Sequence, residues 1–258
     1  MDLLLFRLYG NLASWGEIAV GESRHSANYP SKSAILGLLA AALGMPRDDE
    51  ARQLSLQSGY HIAVEVFSGG QLLRDYHTTQ VPDSVGKFTY RTRRDELVLG
   101  KERLGTILSS REYRSDALAV VAVRALNSAP FSLNQIQEKL IKPVFHLYLG
   151  RKSCPLAAPL SPQILVDQAH YLAAFKAYQH KPLLPTHQAA SDGVSERDSN
   201  WLKLNNQRHY YWEGATQDFA DSVTISQIQT RVRHDQPLSR KRWQFAPRQE
   251  HYFYQGGE

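Results

Sequence analysis

The chain has 258 residues, and its proportions of hydrophobic residues (42%) and charged residues (21%) indicate a globular protein with a sizeable core. Its single cysteine, Cys154, excludes an internal disulfide framework and a cysteine-rich zinc site. The formal net charge of +5 and the pI near 9.2 favour an anionic partner, although the distribution of the charge carries more information than its sum.

Hydrophobic periodicity, cap residues and turn residues predict six elements in the first 150 residues. In chain order they are a buried strand at 2–9, a helix at 31–44, strands at 60–67 and 116–126, a helix at 132–141 and a strand at 144–150. Ser31 is the expected N-cap of the first helix, and Gly44 is its stop signal. The order strand, helix, strand, strand, helix, strand is that of a ferredoxin-like unit.

The segment between the two middle strands, residues 68–115, is far longer than a hairpin turn requires. Its distal part, residues 87–114, has eight cationic side chains against four acidic ones. The cations are Lys87, Arg91, Arg93, Arg94, Lys101, Arg103, Arg111 and Arg114. A protruding basic β-hairpin is the simplest physical account of this composition.

Beyond residue 150 the periodic pattern weakens. Residues 181–200 mix proline, serine, glycine and charge, and we predict a mobile surface loop there. Residues 221–235 have the pattern of a strand, and residues 239–257 interleave cations with aromatic side chains. The longest apolar stretch, residues 34–45, is too short to span a bilayer, and the N-terminal segment has no basic leader. We therefore expect a cytoplasmic protein with no membrane partner.

The sequence SANYPSKS places Lys32 and Ser33 where a phosphate-binding loop of pattern G-x-x-x-x-G-K-[ST] has its lysine and hydroxyl. Both glycines of that pattern are replaced, by Ser26 and Ser31, and Pro30 removes a backbone N–H that such a loop would aim at a phosphate. No apolar strand ending in aspartate offers a magnesium ligand. Nucleotide binding is therefore the weakest functional hypothesis, and it would require ATP or GTP to raise the melting temperature.

The same helix start suits a different phosphate, because free backbone N–H groups and the helix dipole attract anions. Lys32 adds a full positive charge, while Arg24 and Tyr29 in the approaching loop add a cation and a stacking ring. The alternative is a capped amphipathic helix whose lysine is solvated. The residues by themselves leave these two interpretations open.

Single-stranded RNA is held by cations along its backbone and by aromatic or guanidinium planes beneath its bases. The aromatic candidates are Trp15, Tyr90, Tyr113, Trp243 and Phe245. The alternative is that these rings belong to the core and that the cations form a solvated face. The basic hairpin and the basic, aromatic tail favour RNA.

Metal-free RNA cleavage would need a base for the 2′-hydroxyl proton, an acid for the leaving oxygen and cations for the phosphorane. His25, close in sequence to Lys32, and His77 in LRDYHT are the candidates. His146 lies on a predicted apolar strand, where a core histidine is the simpler interpretation. No clustered histidine spacing indicates a metal site.

Five segments, in their order along the chain, resemble one family. They are LYGNLASWGE, YPSKSAILGLLAAALGMPRDD, LRDYHT, YLGRKSCPL and RKRWQFAPRQ. Each segment is loose by itself, but their order is similar to that in the CasD family of the type I-E CRISPR Cascade complex, the fifth Cas protein family of the RAMP superfamily. The similarity spans residues 3–250.

The resemblance implies an α+β fold, namely a ferredoxin-like (RRM-like) RAMP domain with an inserted β-hairpin thumb and a small, mostly β C-terminal part. The RAMP domain would occupy residues 1–150, with the thumb at roughly 78–115, and the glycine-loop and β-rich extension would occupy residues 151–258.

The resemblance also implies a non-catalytic crRNA-binding subunit, without cofactor or metal, that grips the crRNA 5′ handle and caps the backbone filament in antiviral defence. Its expected partners are the handle, the Cas-seven family backbone subunit, the Cas-eight family large subunit and target DNA near the start of the guide. The rival hypothesis, by analogy with type I-C relatives, is a metal-independent endoribonuclease that processes CRISPR repeat RNA with His25 and His77.

The expected RNA-binding residues fall into three groups. The first lies at the handle-facing edge and the start of the first helix, and the second lies on the thumb. The third lies in a glycine-containing loop, LGRKSCPL at 149–156, called the glycine loop below. The set is Trp15, Arg24, Tyr29, Ser31, Lys32, Ser33, Arg74, His77, Arg91, Arg93, Arg94, Arg111, Gly150, Arg151, Lys152 and Ser153.

Overall fold

The computed structural model describes residues 1–19, 21–84, 86, 89–98, 101–184, 188, 193–239, 242 and 244–256. Its strands are β1 (Leu3–Ala13), β2 (Trp15–Gly16), β3 (Ser23–Arg24), β4 (Ser26–Ala27), β5 (Tyr60–Ser68), β6 (Gln71–Pro82), β7 (Leu104–Ala125), β8 (Gln163–Leu165), β9 (Arg208–Trp212), β10 (Gln229–Ser239) and β11 (Gln244–Gln255). Its α-helices are α1 (Lys32–Ala42), α2 (Glu50–Ser58), α3 (Arg93–Val98), α4 (Leu133–Ile141), α5 (Tyr171–Ala177) and α6 (Glu196–Leu202).

Within the described part of the chain, nine strands form one sheet, and seven of them lie in the order β10-β11-β9-β5-β7-β1-β8. β6 pairs with the first half of β7, and β3 pairs with β7 in the parallel direction, whereas the other pairings in this sheet are antiparallel. The predicted α+β class is confirmed to the extent that the fold mixes helices with strands, and the structure shows a large antiparallel sheet. None of the described helices combines the length and apolar character needed to cross a membrane.

The sheet separates two hydrophobic clusters, because alternate residues of a strand point to opposite faces. On β1, Leu4, Phe6 and Leu8 pack on the side of α1 and α4, while Leu3 and Leu5 pack on the side of α5. β1 is buried over most of its length because helices cover both of its faces. The predicted strand at 2–9 is therefore confirmed and extends to residue 13.

The first helix begins and ends as its sequence predicts. Ser31 caps it by accepting a hydrogen bond from Ala34 N–H at 3.2 Å. Gly44 follows the last turn with φ +71°, a conformation that favours glycine, and a Cβ there would lie 2.8 Å from Val144 Cγ1. The predicted strand at 60–67 is β5, and the predicted helix at 132–141 is α4 with Ser132 as its cap.

The prediction of a strand at 144–150 is wrong. Apart from one isolated bridge between Tyr148 and Pro155, this segment is irregular, and the short β8 pairs with β1 instead. The N–H groups of Val144 and Phe145 donate to the C-terminal carbonyls of α1, so they are unavailable to a strand ladder. His146 is correspondingly exposed, and its assignment to the core is wrong as well.

The long insertion contains a β-hairpin, defined here as residues 71–115. β6 and the first half of β7 stay in register from the Gln71–Ser115 pair to the Pro82–Leu104 pair, and α3 lies at the tip. The hairpin begins earlier than the predicted thumb start near residue 78. Its two ends are marked by Gly70 and Asp116, which both have positive φ values, +69° and +58°. Lys87 and the Lys101 side chain lie outside the described residues.

The C-terminal predictions are partly corrected. Residues 185–187 and 189–192 of the predicted mobile loop at 181–200 lie outside the described residues, but the end of the loop forms α6, capped by Ser195. Asp198 of α6 is fully buried and accepts the Leu183 N–H at 3.0 Å, so this end is anchored to the core. The predicted strand at 221–235 begins only at residue 229, after a short 3-10 turn, and Trp243 lies outside the described residues.

Candidate nucleic-acid interface

A groove of about 1230 Å³ runs along α1 on one face of the protein. Its walls come from four places: the segment around Trp15, the end of β3, the irregular segment that ends in the glycine loop, and β10. Of the residues predicted to bind or cleave RNA, the groove brings together Arg24, His25, Ser31, Ser33, Gly150 and Arg151.

Among the described residues that line this groove, the charged side chains are mostly basic. Its cationic and imidazole side chains are Arg24, His25, Arg47, His146, Arg151, Arg233 and His234. The acidic residues in the lining are Glu17 and Asp235, and both have cationic neighbours: Glu17 lies 3.6 Å from Arg233, and Asp235 binds Arg248. A concave surface with this charge balance attracts polyanions.

The glycine-containing loop is fixed tightly against the start of the groove. Gly150 has φ +84°, and a Cβ at this position would lie 1.8 Å from the carbonyl oxygen of Ser14. Only glycine fits this close approach. The loop thereby places Arg151, which donates to Glu112 O at 3.1 Å and lies 4.8 Å from the centre of the Tyr113 ring.

Glu112, at the base of the hairpin, connects the hairpin to the groove. Its buried carboxylate accepts hydrogen bonds from Arg74 at 2.9 Å and from the Ser26 N–H at 3.2 Å. His25 Nδ1 lies 3.3 Å from the same carboxylate, and the His25 side chain is 54% exposed. Burial acts to raise the pKa of Glu112, but the hydrogen bonds from Arg74, Ser26 and His25 outweigh burial and lower it.

The start of α1 does not offer Lys32 to solvent. Lys32 is 5% exposed, and its ammonium lies 2.6 Å from Glu213 Oε2. Its N–H donates to Asp235 Oδ2 at 2.8 Å, so an internal carboxylate occupies the position that a phosphate would take at a helix N-terminus. Neither interpretation left open by the sequence, phosphate-binding or solvated, describes this lysine. The same carboxylate argues against a nucleotide site.

Trp15 and Tyr29 are also inaccessible as stacking planes. Trp15 is 4% exposed within the core. Tyr29 is 4% exposed and stacks on Tyr211 with ring centres 3.6 Å apart, while its hydroxyl donates to Glu250 at 2.5 Å. Both residues are close in sequence to residues that line the groove, but their own side chains pack in the interior. Ser31 is buried too, as the N-cap described above.

The remaining predicted residues lie on the hairpin and the glycine loop, mostly exposed. The side chains of Arg91, Arg93, Arg94 and Arg111 are exposed, and Arg93 also pairs with Glu96 at 2.6 Å and donates to Gln80 O.

Lys152 and Ser153 are exposed beside Arg151, and Arg74 is 60% exposed while binding Glu112. His77 lies 3.3 Å from Asp75 on the same strand. β3 pairs Arg24 with Arg111, so the hairpin cations begin directly beside the groove.

The sequence profile of the family described as "CRISPR-associated protein (Cas_Cas5)" matches residues 3–250. The chain belongs to the Cas5 family. A curated relative, the CRISPR system Cascade subunit CasD of Escherichia coli (strain K12), is 32% identical over 165 residues, which cover 61% of this chain and 68% of that protein.

Two solved structures share the fold of this Cas5 protein. One is described as a CRISPR RNA-guided surveillance complex, with a TM-score of 0.61, 24% identity, and coverage of 99% of this chain and 90% of that one. The other is described as a crystal structure of a Cas protein, with a TM-score of 0.56, 23% identity, and coverage of 98% and 92%. At these identities the likeness shows the fold.

Sequence reasoning missed several groove residues of this Cas5 protein. Arg47 lies in the MPRDD stretch shortly after the end of α1, and this position beside the predicted helix was the sequence feature that could have identified it. Arg233 and His234 lie on β10, which is distant in sequence, and only the sheet pairing reveals them. Within the described residues, no three or more His, Cys, Asp or Glu side chains are grouped as metal ligands.

Proposed function

We propose that this Cas5 protein is a non-catalytic crRNA-binding subunit of a type I-E Cascade surveillance complex, which grips the crRNA 5′ handle and caps the backbone filament in antiviral defence. The observation that supports this most is the basic groove along α1, which continues directly into the basic hairpin through the Arg24–Arg111 strand pair. Family membership and the Cascade relative agree with it.

The dimensions of the groove favour a polymer over a small molecule. Its volume of about 1230 Å³ exceeds the usual range of roughly 300–1,000 Å³ for small-molecule pockets. Arg24 is exposed and Arg151 half-buried at its edge, where guanidinium groups can pair with phosphates. Phe145 and Tyr148, which are 47% and 37% exposed, offer aromatic surface for bases.

The ferredoxin-like (RRM-like) RAMP fold is part of the same proposal. The strands β5, β7, β1 and β8 are adjacent in this order and antiparallel, and α1 and α4 lie on one face. This arrangement is what two interlocked βαβ units produce, with β8 in place of the strand expected at 144–150. The hairpin would be the thumb.

The proposed partners follow from a Cascade assembly. They are the crRNA handle, the Cas-seven family backbone subunit, the Cas-eight family large subunit and target DNA near the guide start, in the cytoplasm. The division into a RAMP domain at 1–150 and an extension at 151–258 stays a prediction; with β8 as its fourth strand, the RAMP unit would reach residue 165, and β9 pairs with β5.

The test is equilibrium binding of a 5′ handle RNA to the whole chain at several salt concentrations. Every arginine–phosphate bond that a substitution removes should reduce the magnitude of the log–log salt slope by about 0.7–0.9. Arg24→Gln with Arg151→Gln should therefore weaken binding and flatten the slope. The matched control is Lys176→Gln with Arg197→Gln, which removes the same charge from exposed positions on α5 and α6, on the other face of the sheet.

Equal reductions in affinity for the two double variants would show that net charge, not the groove, attracts the RNA. No binding by the wild-type chain at low salt would contradict the proposal outright.

The endoribonuclease is a second candidate because one observation favours it. His25 lies 3.3 Å from the Glu112 carboxylate, at a groove edge that also has Arg24 and Arg151. A histidine oriented by a carboxylate, beside cations, has the composition of a general base for 2′-hydroxyl attack. Incubating CRISPR repeat RNA with the protein in EDTA separates the candidates. Cleavage at one phosphate that is abolished in His25→Ala but kept in His77→Ala would replace the first proposal.

A further inference from the structure

A second surface combines aromatic rings and a cation, on the α1 side of the C-terminal strands. Tyr252 and Tyr254 of β11, His209 of β9 and Arg231 of β10 share one face there, and we call these four residues the platform. Tyr254 is 41% exposed and Arg231 is exposed, while His209 and Tyr252 are half-buried. None of the four lines the groove.

The platform is held rigid by its own contacts. The Arg231 guanidinium lies 4.2 Å from the centre of the Tyr252 ring, and its Nη2 donates to Gln229 at 2.9 Å. On the other side, His209 Nδ1 and the Tyr252 hydroxyl lie 2.9 Å apart, and the His209 and Tyr254 ring centres are 5.0 Å apart. A stacked guanidinium has its second face free for another planar group, and a half-exposed tyrosine ring has the same property.

The platform is continuous with the groove through a chain of ring contacts. Arg233, in the groove lining, lies 4.9 Å from the centre of the Tyr29 ring, which stacks on Tyr211. Tyr211 in turn packs against Tyr252 with ring centres 5.0 Å apart. Tyr29 and Tyr211 are buried, so these contacts join the two surfaces from within. At the surface, the half-buried Arg233 of the groove and the exposed Arg231 of the platform lie two residues apart on the same face of β10.

The charge of this surface suits a polyanion. Glu250, the acidic residue of β11 on the same face, is 3% exposed and accepts hydrogen bonds from Arg248 at 2.5 Å and from the Tyr29 hydroxyl. Desolvation, together with the charge of Arg231, lowers the pKa of His209 and so favours the neutral imidazole over the charged, strongly hydrated form. Arg231 is therefore the cation that a phosphate would meet beside these rings.

We infer that the platform is a second binding site for single-stranded RNA, at which bases stack on Arg231 and Tyr254 and a phosphate bonds to the Arg231 guanidinium. RNA that fills the groove would continue past Arg233 onto the platform. This inference rests on the proposed function and extends its RNA path beyond the groove and the hairpin.

The experiment uses the full chain and two oligouridine probes, a short one of about 6 nucleotides and a long one of about 16, with 4-thiouridine at one end for photo-crosslinking. Arg231→Gln with Tyr254→Ala should weaken binding of the long probe by about fivefold or more and leave the short probe unchanged, since each base stacked on an aromatic ring contributes to affinity. Ile225→Ala is the control, because Ile225 is 77% exposed in the turn before β10 and belongs to neither the groove nor the platform.

Crosslinks from the long probe to residues of β11, absent in the double variant, would support the inference. Unchanged affinity for both probes, with crosslinks confined to the groove and hairpin, would overturn it while leaving the proposed function intact. Crosslinks to β11 with no effect of Arg151→Gln on either probe would support the platform and contradict the groove. No binding of either probe at low salt would overturn both.

Discussion

The Lys32 ammonium lies 2.6 Å from Oε2 of Glu213, and both side chains are almost fully buried. The other carboxylate oxygen of Glu213 accepts the Ile62 N–H at 3.1 Å, so the pair joins the start of α1 to strands β5 and β9. Asp235 accepts the Lys32 N–H, and Arg248 binds Asp235 at 2.6 Å. A compact charge network therefore fixes the first helix to the C-terminal strands.

Replacing Lys32 by methionine should destabilise the fold by about 3–5 kcal/mol, because it leaves the buried Glu213 carboxylate without its counter-charge. The double change Lys32→Met with Glu213→Gln should recover most of this stability, since a neutral pair has no unpaired charge. Urea unfolding measures both variants, and Lys152→Met, at an exposed lysine, should change stability by less than about 0.5 kcal/mol. If the Lys32→Met variant kept wild-type stability but no longer bound handle RNA, Lys32 would contact RNA and would not be a structural residue.

Gly150→Ala should be strongly destabilising, by about 3 kcal/mol, because the left-handed backbone and the overlap with Ser14 O both oppose a Cβ. Gly193→Ala separates the two causes, since Gly193 has φ +78° but no atom of the described residues lies within 4 Å of the added Cβ. It should destabilise the fold by only about 1 kcal/mol. Thermal unfolding checks the order of the two variants. Equal destabilisation would mean that the loop can move away from Ser14 without cost.

The free energy of unfolding of the Glu65→Gln variant should increase relative to that of the wild type as pH rises. Glu65 is buried beside the Tyr210 hydroxyl, and burial raises its pKa to about 7, against the opposing effect of Arg208. Because the folded pKa is above the ordinary value of 4.5, the stabilisation from this group is complete below about pH 4.5 and is lost as pH rises through about 7. Glutamine cannot ionise, so the stability of the variant relative to wild type should increase by roughly 1–3 kcal/mol between about pH 5 and pH 8.

Urea midpoints at the two pH values measure this difference, and Glu138→Gln, at an exposed position on α4, is the matched control. A pH-independent difference would show that Glu65 stays ionised throughout.

The hairpin arginines should contribute RNA affinity without supporting the fold. Changing Arg91, Arg93 and Arg94 to glutamine should reduce the salt slope of RNA binding and leave the melting temperature nearly unchanged, since all three side chains are exposed and the Arg93–Glu96 pair is a surface ion pair. Binding as a function of salt, with melting curves as the control, tests both parts. An unchanged slope would remove the hairpin tip from the RNA path.

The sequence correctly predicted those elements that are specified by their own cap residues and hydrophobic periodicity. Ser31 and Gly44 delimit α1, and the alternation of 60–67 and the apolar run of 116–126 identify two central strands. The segment 144–150 has an equally apolar pattern, yet its first N–H groups bond to the end of α1. The carbonyl groups at the end of α1 compete with a strand for these N–H groups, and the local sequence of 144–150 contains no sign of that competition.

The candidate site divides along the same line. The glycine at 150, the neighbouring Arg151 and the basic hairpin follow from the order of residues, because backbone conformation and charge density are properties of short segments. The burial of Lys32 and Tyr29, and the arrival of Arg233 and Asp235 at the start of α1, depend on side-chain contacts between residues about two hundred positions apart in sequence. The sequence determined which cations this Cas5 protein has; tertiary packing decided which are paired internally and which remain exposed, because a buried charge must find its counter-charge within the fold.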